Sequence, residues 1–198
     1  TIVFTWERDL WSVPATGGIA QRLTTHPGME NFAKISPDGK WIAFTGQYDG
    51  ADIYVMPATG GPPRRVTFLG MGSQAVAWTP DGKKVVFRSG HENTFRPIVK
   101  LFTVTPEGGL PEQMPMERGI LCSFSPDAGK LVYNRRGNEE YYWKRYKGGQ
   151  YTDIWQYDFT SGAFTALTDY VGKNAYPMWI GNRMYFVSDR AKNGIANL

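Results

Sequence analysis

The sequence predicts an all-β protein, a β-propeller built from four-stranded antiparallel blades, and three observations predict it. One phrase recurs, as Ser36-Pro37-Asp38-Gly39-Lys40, Thr79-Pro80-Asp81-Gly82-Lys83 and Ser125-Pro126-Asp127-Ala128-Gly129-Lys130. Its prolines lie 43 and then 46 residues apart, the spacing of a repeat architecture. Around each copy lie short runs rich in β-branched and aromatic residues, which suit a pleated, half-buried strand. No stretch sustains a helical period, and Gly and Pro punctuate the loops. Four-stranded antiparallel sheets at this spacing are propeller blades. A β-sandwich or an open meander is the alternative, and four aligned third strands with four aligned turns after them speak against it.

Taken in order, blade one (1–28) opens on its second strand, Ile2-Val3-Phe4-Thr5, and continues through Asp9-Leu10-Trp11-Ser12-Val13, the turn Gly17-Gly18 and Arg22-Leu23-Thr24. Blade two (29–70) is complete. Its first strand runs from Glu30 to Ile35, and the Asp38-Gly39 pair signals a tight hairpin because both central turn positions tolerate positive φ. Trp41 to Thr45, Asp52 to Met56, the turn Gly60-Gly61 and Arg64 to Thr67 follow. Blade three (71–116) repeats the plan with a first strand about Gln74, then Val85-Val86-Phe87-Arg88, Lys100 to Val104, Gly108-Gly109 and Gln113-Met114-Pro115. Gly70-Met71-Gly72 reads as the connector before it. Blade four (117–170) has Ser123 in its first strand, then Leu131 to Asn134, Asp153 to Tyr157, Ser161-Gly162 and Ala166-Leu167-Thr168. Blade five (171–198) replaces the phrase with Gly181-Asn182, has Met184-Tyr185-Phe186-Val187 as its second strand, and ends two residues into a third strand. The expectation is one partial propeller domain over 1–198, three full blades and two partial ones of six, cut from a longer chain.

Composition narrows the function. At 41% hydrophobic and 20% charged, the chain is globular rather than disordered. No apolar run is long enough to span a membrane. A net charge of +4 permits acidic partners without demanding them. The single Cys122 excludes an internal disulfide and a cysteine-cluster metal site. Two histidines, His26 in an inter-blade turn and His91 in a loop, supply neither a nucleophile–base–acid triad nor a zinc ligand set. No catalytic residue, metal or cofactor is therefore expected. Asp9, Asp52 and Asp153 each open a third strand and read as turn or inter-blade hydrogen-bond devices.

Two groups of residues are candidates for binding. Blade four carries a long insertion between its second and third strands, where Arg135, Arg136, Lys144, Arg145 and Lys147 interleave with Tyr141, Tyr142, Trp143 and Tyr146. Such a mix can stack single-stranded nucleic acid, hold a peptide carboxylate in an arginine fork, or pack its rings on a neighbour while its cations stay solvated. Glu139 and Glu140 offset part of the charge and weigh against nucleic acid. The candidates are Arg135, Arg136, Trp143, Lys144, Arg145 and Lys147. First strands of blades line a propeller's channel, which nominates Lys34, Gln74 and Ser123, with Asn31 and Tyr176 at its mouth.

The repeat phrase resembles the propellers of TolB, of prolyl-oligopeptidase relatives and of tricorn-type proteases. Blade four discriminates. Its Trp143-Lys144, Tyr146, Gly148-Gly149, then Ile154-Trp155, then Ser161-Gly162-Ala163-Phe164, then Gly181, Arg183-Met184-Tyr185-Phe186 are similar to the first propeller of tricorn proteases, as are Asp9-Leu10-Trp11 and Asp189-Arg190. The resemblance implies a six-bladed first propeller in a serine peptidase that also holds a second propeller, a PDZ domain and a C-terminal peptidase domain. It implies oligopeptide substrates, a hexameric assembly, a role in substrate access or product exit, and catalytic residues outside this chain. Cytoplasm follows by the same resemblance, with export as the alternative. A TolB-like binding module and a prolyl-oligopeptidase propeller are the alternative functions.

Overall fold

The computed structural model describes residues 1–92, 98–136, 148–149 and 151–191. Strands carry all the regular structure among them, in two units, Thr1–Met114 and Pro115–Leu198. In the first unit, β1 (Ile2–Trp6), β2 (Asp9–Val13) and β3 (Gln21–Arg22) form a three-stranded sheet. A four-stranded sheet follows, of β4 (Met29–Ile35), β5 (Trp41–Gln47), β6 (Ala51–Pro57) and β7 (Arg64–Arg65). The next is β8 (Ser73–Trp78), β9 (Val85–Ser89), β10 (Lys100–Val104) and β11 (Glu112–Gln113). The second unit holds β12 (Cys122–Phe124), β13 (Lys130–Asn134), β14 (Ile154–Asp158) and β15 (Phe164–Ala166), then the pair β16 (Asn174–Ile180) and β17 (Arg183–Ser188). Every pairing is antiparallel between consecutive strands. The sheets are therefore the three full and two partial blades of a propeller. The partial third strand expected near 197–198 lies outside the described residues.

Strand alternation sorts the core of the first unit. Successive side chains point to opposite faces of a sheet, and the middle strands of blade two are buried on both. Ile42, Phe44, Tyr54 and Met56 pack around Leu10 of blade one. Ala43, Ile53 and Val55 face Ala75, Val85, Phe87 and Phe102 of blade three. Phe87 and Phe102, directly opposed across β9 and β10, stack with ring centroids 5.6 Å apart.

The recurring phrase makes the first hairpin of each full blade, with a geometry that sharpens the sequence reading. Ser36 N donates to Trp41 O at 2.8 Å, closing a four-residue loop, and only Gly39 within it has positive φ, at 73°. Asp38 does not share that conformation, so the loop is not a two-residue primed turn. The Ser36 hydroxyl donates to Asp38 Oδ1 at 2.6 Å, which also accepts from Lys40 N, while Ser36 Oγ accepts from Trp41 N. Thr79 with Asp81, and Ser125 with Asp127, repeat these bonds. Ala128 takes the glycine's place with φ 59°, so Gly129 stands where the other copies have lysine and nothing is inserted.

A second device repeats at the outer strands. The backbone N–H groups of Leu10, Ile53 and Ile154 donate to the hydroxyls of Thr24, Thr67 and Thr168. In blade two Asp52, only 3% exposed, accepts from Arg65 Nη2 at 2.6 Å and from the Thr67 hydroxyl at 2.8 Å. Asp9 and Arg22 pair likewise in blade one. Of the three aspartates expected as turn or inter-blade devices, Asp9 and Asp52 are thus clamps inside their own blades, from third strand to fourth, while Asp153 accepts from Trp155 Nε1 within its own strand region. Blade three replaces it with Lys100 Nζ donating to Gln113 Oε1 at 2.9 Å.

Candidate functional site

The described residues contain two cavities that hold candidates, one in each unit. The cavity of about 310 Å³ in the second unit is lined by Arg118, Tyr133, Arg135, Trp155 and Phe164, with Glu117 and Pro115. Tyr133 and Trp155 are register partners across β13 and β14. Arg135 follows immediately after β13, and its guanidinium carbon lies 4.8 Å from the Trp155 ring centroid, within cation–π reach. Trp155 is fixed from its other edge, where Nε1 donates to Asp153 Oδ2 at 2.6 Å. Burial, the largest cause, pushes the Tyr133 hydroxyl up to about 12, with Asp153 raising it and Arg135 lowering it. The phenol is neutral at physiological pH and remains a hydrogen-bond donor. Two guanidiniums, one phenol and two rings against a single carboxylate suit an anion that carries an apolar body, such as a peptide carboxylate.

Arg136, the second basic candidate, is exposed, and its carbonyl accepts from Asn134 Nδ2 at 2.8 Å. Trp143, Lys144, Arg145 and Lys147 lie outside the described residues.

The cavity of about 520 Å³ in the first unit includes Gln74. Gln74 Oε1 accepts from Arg88 Nε at 3.0 Å and from Arg88 Nη2 at 2.6 Å. The apolar part of the wall comes from Phe32, Met71 and Val99. The Gly70-Met71-Gly72 connector is therefore part of this wall, with both glycines at φ near 70° turning it around Met71.

Two of the remaining first-strand candidates make contacts between blades. Lys34 O accepts from Trp78 Nε1 at 2.8 Å, which ties blade two to blade three. Ser123 Oγ accepts from Trp179 N at 2.9 Å, which ties blade four to blade five. Asn31 Nδ2 contacts Met29 Sδ at 3.4 Å, while its Oδ1 is buried with no partner among the described residues. Tyr176 sits at φ 56° in a bulge of β16. His26 accepts from Gly28 N at its Nδ1 and packs on Tyr48 with centroids 3.6 Å apart. Burial, then the hydrogen bond to Glu30, holds the Tyr48 hydroxyl far above its ordinary value.

Sequence reasoning missed Arg88, Arg118, Tyr133, Trp155 and Phe32 as site residues. The signal for Arg88 was present in the repeat, because it stands where blades two and four place Thr45 and Asn134. Its charge departs from the neutral residues that the other copies place there.

The family model of the tricorn protease N-terminal beta propeller domain matches residues 1–198. Tricorn protease homolog 1 of Streptomyces coelicolor is 32% identical over 197 residues, covering 98% of this chain and 18% of its own length. The chain thus spans about a fifth of the curated relatives it matches. The crystal structure of the tricorn protease superposes with TM-score 0.84 at 23% identity, over 98% of this chain and 20% of that one. TolB from Acinetobacter baumannii follows the same fold with TM-score 0.64 at 19% identity, over 90% of this chain and 45% of that one.

Proposed function

The chain belongs to the tricorn protease N-terminal β-propeller family, and from that premise we propose that it is a non-catalytic propeller region of a serine-type peptidase. In this reading residues 1–198 act in substrate access or product exit and in domain docking during oligopeptide hydrolysis. The other domains of the parent chain, oligopeptides and further copies of the protein are its partners, in the cytoplasm. Nucleophile, base and acid come from elsewhere in the parent protein. The observation that carries the reading is Arg135, stacked on Trp155 in a cavity that also presents Arg118 and the neutral Tyr133 phenol. This group accepts the terminal carboxylate of an oligopeptide and lays the adjoining side chain on the rings.

Titration calorimetry with one hexapeptide in two forms tests this. The free-acid form is expected to bind about tenfold more tightly than the C-terminal amide, the usual worth of a charge-assisted bond. Arg135→Ala is expected to erase the difference. Equal binding of both forms refutes the carboxylate role. Hydrolysis of the peptide by the purified chain, sensitive to a serine-directed reagent, refutes the non-catalytic role.

A further inference from the structure

The first strands of blades two and five share an irregularity that the repeat does not require. In β4 the register with β5 shifts between Asn31 and Lys34, which brackets Phe32 and Ala33. In β16 the register with β17 shifts between Ala175 and Met178, which brackets Tyr176 and Pro177. Counted from the second strands, Phe44 and Phe186 are equivalent, so Phe32 and Tyr176 occupy the same place. Both are aromatic, and both have left-handed backbone, at φ 55° and 56°.

That conformation is uncommon for a bulky side chain, because Cβ crowds the backbone. Glycine adopts it freely and is the usual choice at such a bulge. Tyr176 is further constrained, since a residue before proline favours extended backbone. The bulge alone does not impose the strain. β8 shifts register between Ala75 and Ala77, yet neither of these nor Val76 has positive φ. What the left-handed residue achieves is to re-aim its own side chain out of the strand's alternation. Phe32 and Tyr176 are 40% and 38% exposed, although burying a ring is favourable. Strain that persists at an exposed ring, twice at one repeat position, points to use of the ring.

Blade two shows what the ring faces. Phe32 walls the 520 Å³ cavity together with Met71 and Val99, and the cavity's polar side is Gln74 held by Arg88. Among the described residues no carboxylate lines it. Such a cleft, apolar on one wall and hydrogen-bonding on the other, fits an uncharged apolar side chain next to its own amide groups. We propose that Phe32 and Tyr176 are peptide-contacting residues, whose rings take apolar side chains of oligopeptides. This rests on the peptide-handling reading above and adds a preference within it, for apolar over small side chains.

The test uses two free-acid hexapeptides, one all-alanine and one with leucine at alternate positions. The leucine peptide is expected to bind more tightly to the chain. Phe32→Gly and Tyr176→Gly should each weaken it about fivefold, the scale of a partly lost apolar contact, and leave the alanine peptide unchanged. Phe32→Leu should keep most of the discrimination. Urea midpoints of the glycine variants check that the fold is intact, since glycine suits φ near 55°. Unchanged leucine-peptide affinity in both glycine variants overturns the proposal, as does equal loss for the two peptides, while the carboxylate reading stands. Failure of the wild-type chain to bind either peptide overturns both.

Discussion

Replacing Asp52 by alanine is the severest single-residue test of how these blades hold together. Asp52 is almost wholly buried and bonds Arg65 at 2.6 Å and the Thr67 hydroxyl at 2.8 Å. Arg65 Nε also donates to Thr67 O at 3.0 Å, and Thr67 Oγ1 accepts from Ile53 N at 2.9 Å. The carboxylate thus sits at the centre of a closed ring of bonds joining β6 to the strand after it. Removing one partner of a buried ion pair costs about 3–5 kcal/mol when the other is left without water. The Arg65 side chain is 26% exposed, so water solvates part of the stranded guanidinium and the expected loss falls to about 2–3 kcal/mol. That is a large share of an ordinary domain's stability. Lys84→Ala is the control: its pair with Glu112 is far more open, the two side chains being 33% and 70% exposed, and such pairs are worth under about 1 kcal/mol. Urea unfolding followed by tryptophan fluorescence reads both variants on one scale. If Asp52→Ala lies within about 0.5 kcal/mol of wild type, the usual range of an unremarkable surface change, the clamp is not what holds third strand to fourth.

Ala128 occupies the left-handed position that Gly39 and Gly82 fill in the other hairpins. Ala128→Gly is therefore expected to stabilise by about 0.5–1 kcal/mol, the relief of Cβ crowding less glycine's entropy, and a lowered urea midpoint refutes it. The hairpin aspartates give a pH dependence. The Thr79 hydroxyl first, and Lys83 N–H second, hold the Asp81 carboxyl below its ordinary range. A folded value below the unfolded one means a stabilisation present above about pH 4 and lost as pH falls through the folded value. Asp81→Asn should flatten the fall in urea midpoint between about pH 5 and pH 3, and an unchanged fall contradicts the assignment.

Much of this fold was legible because its determinants are local and repeated. Glycine turns, β-branched runs and the proline-bearing phrase mark hairpins one at a time, and repetition removes the ambiguity of any single one. The clamp was half legible. Asp9 and Asp52 recur with Arg22 and Arg65 at a constant distance along the chain, but that they pair within one blade depends on the register of third and fourth strands, which sequence spacing does not state. The bulges were not legible. Nothing in Asn31-Phe32-Ala33-Lys34 marks a left-handed aromatic, because composition signals such a position only when glycine fills it. The cavities were the least legible, since each gathers residues from several strands and loops.

Blade four shows why the site sits where the repeat departs from itself. Gly46 in blade two and Arg135 in blade four both lie two residues past the aromatic of the second strand, Phe44 or Tyr133. Each sits near the aromatic paired with that residue, Tyr54 or Trp155. In blade two the space is closed: a Cβ built on Gly46 meets the Tyr54 ring at 2.8 Å, and Tyr54 is 6% exposed. No side chain enters there without displacing the ring. In blade four the equivalent ring is only half-buried, and a guanidinium lies over its face. One structural position therefore does two physical jobs, tight packing in one blade and a cation on an open aromatic face in another. Packing between blades fixes the first. The second covers the Trp155 face with a guanidinium and adds its charge to that of Arg118 in a cavity that holds one carboxylate, Glu117, the arrangement on which the proposed anion site rests.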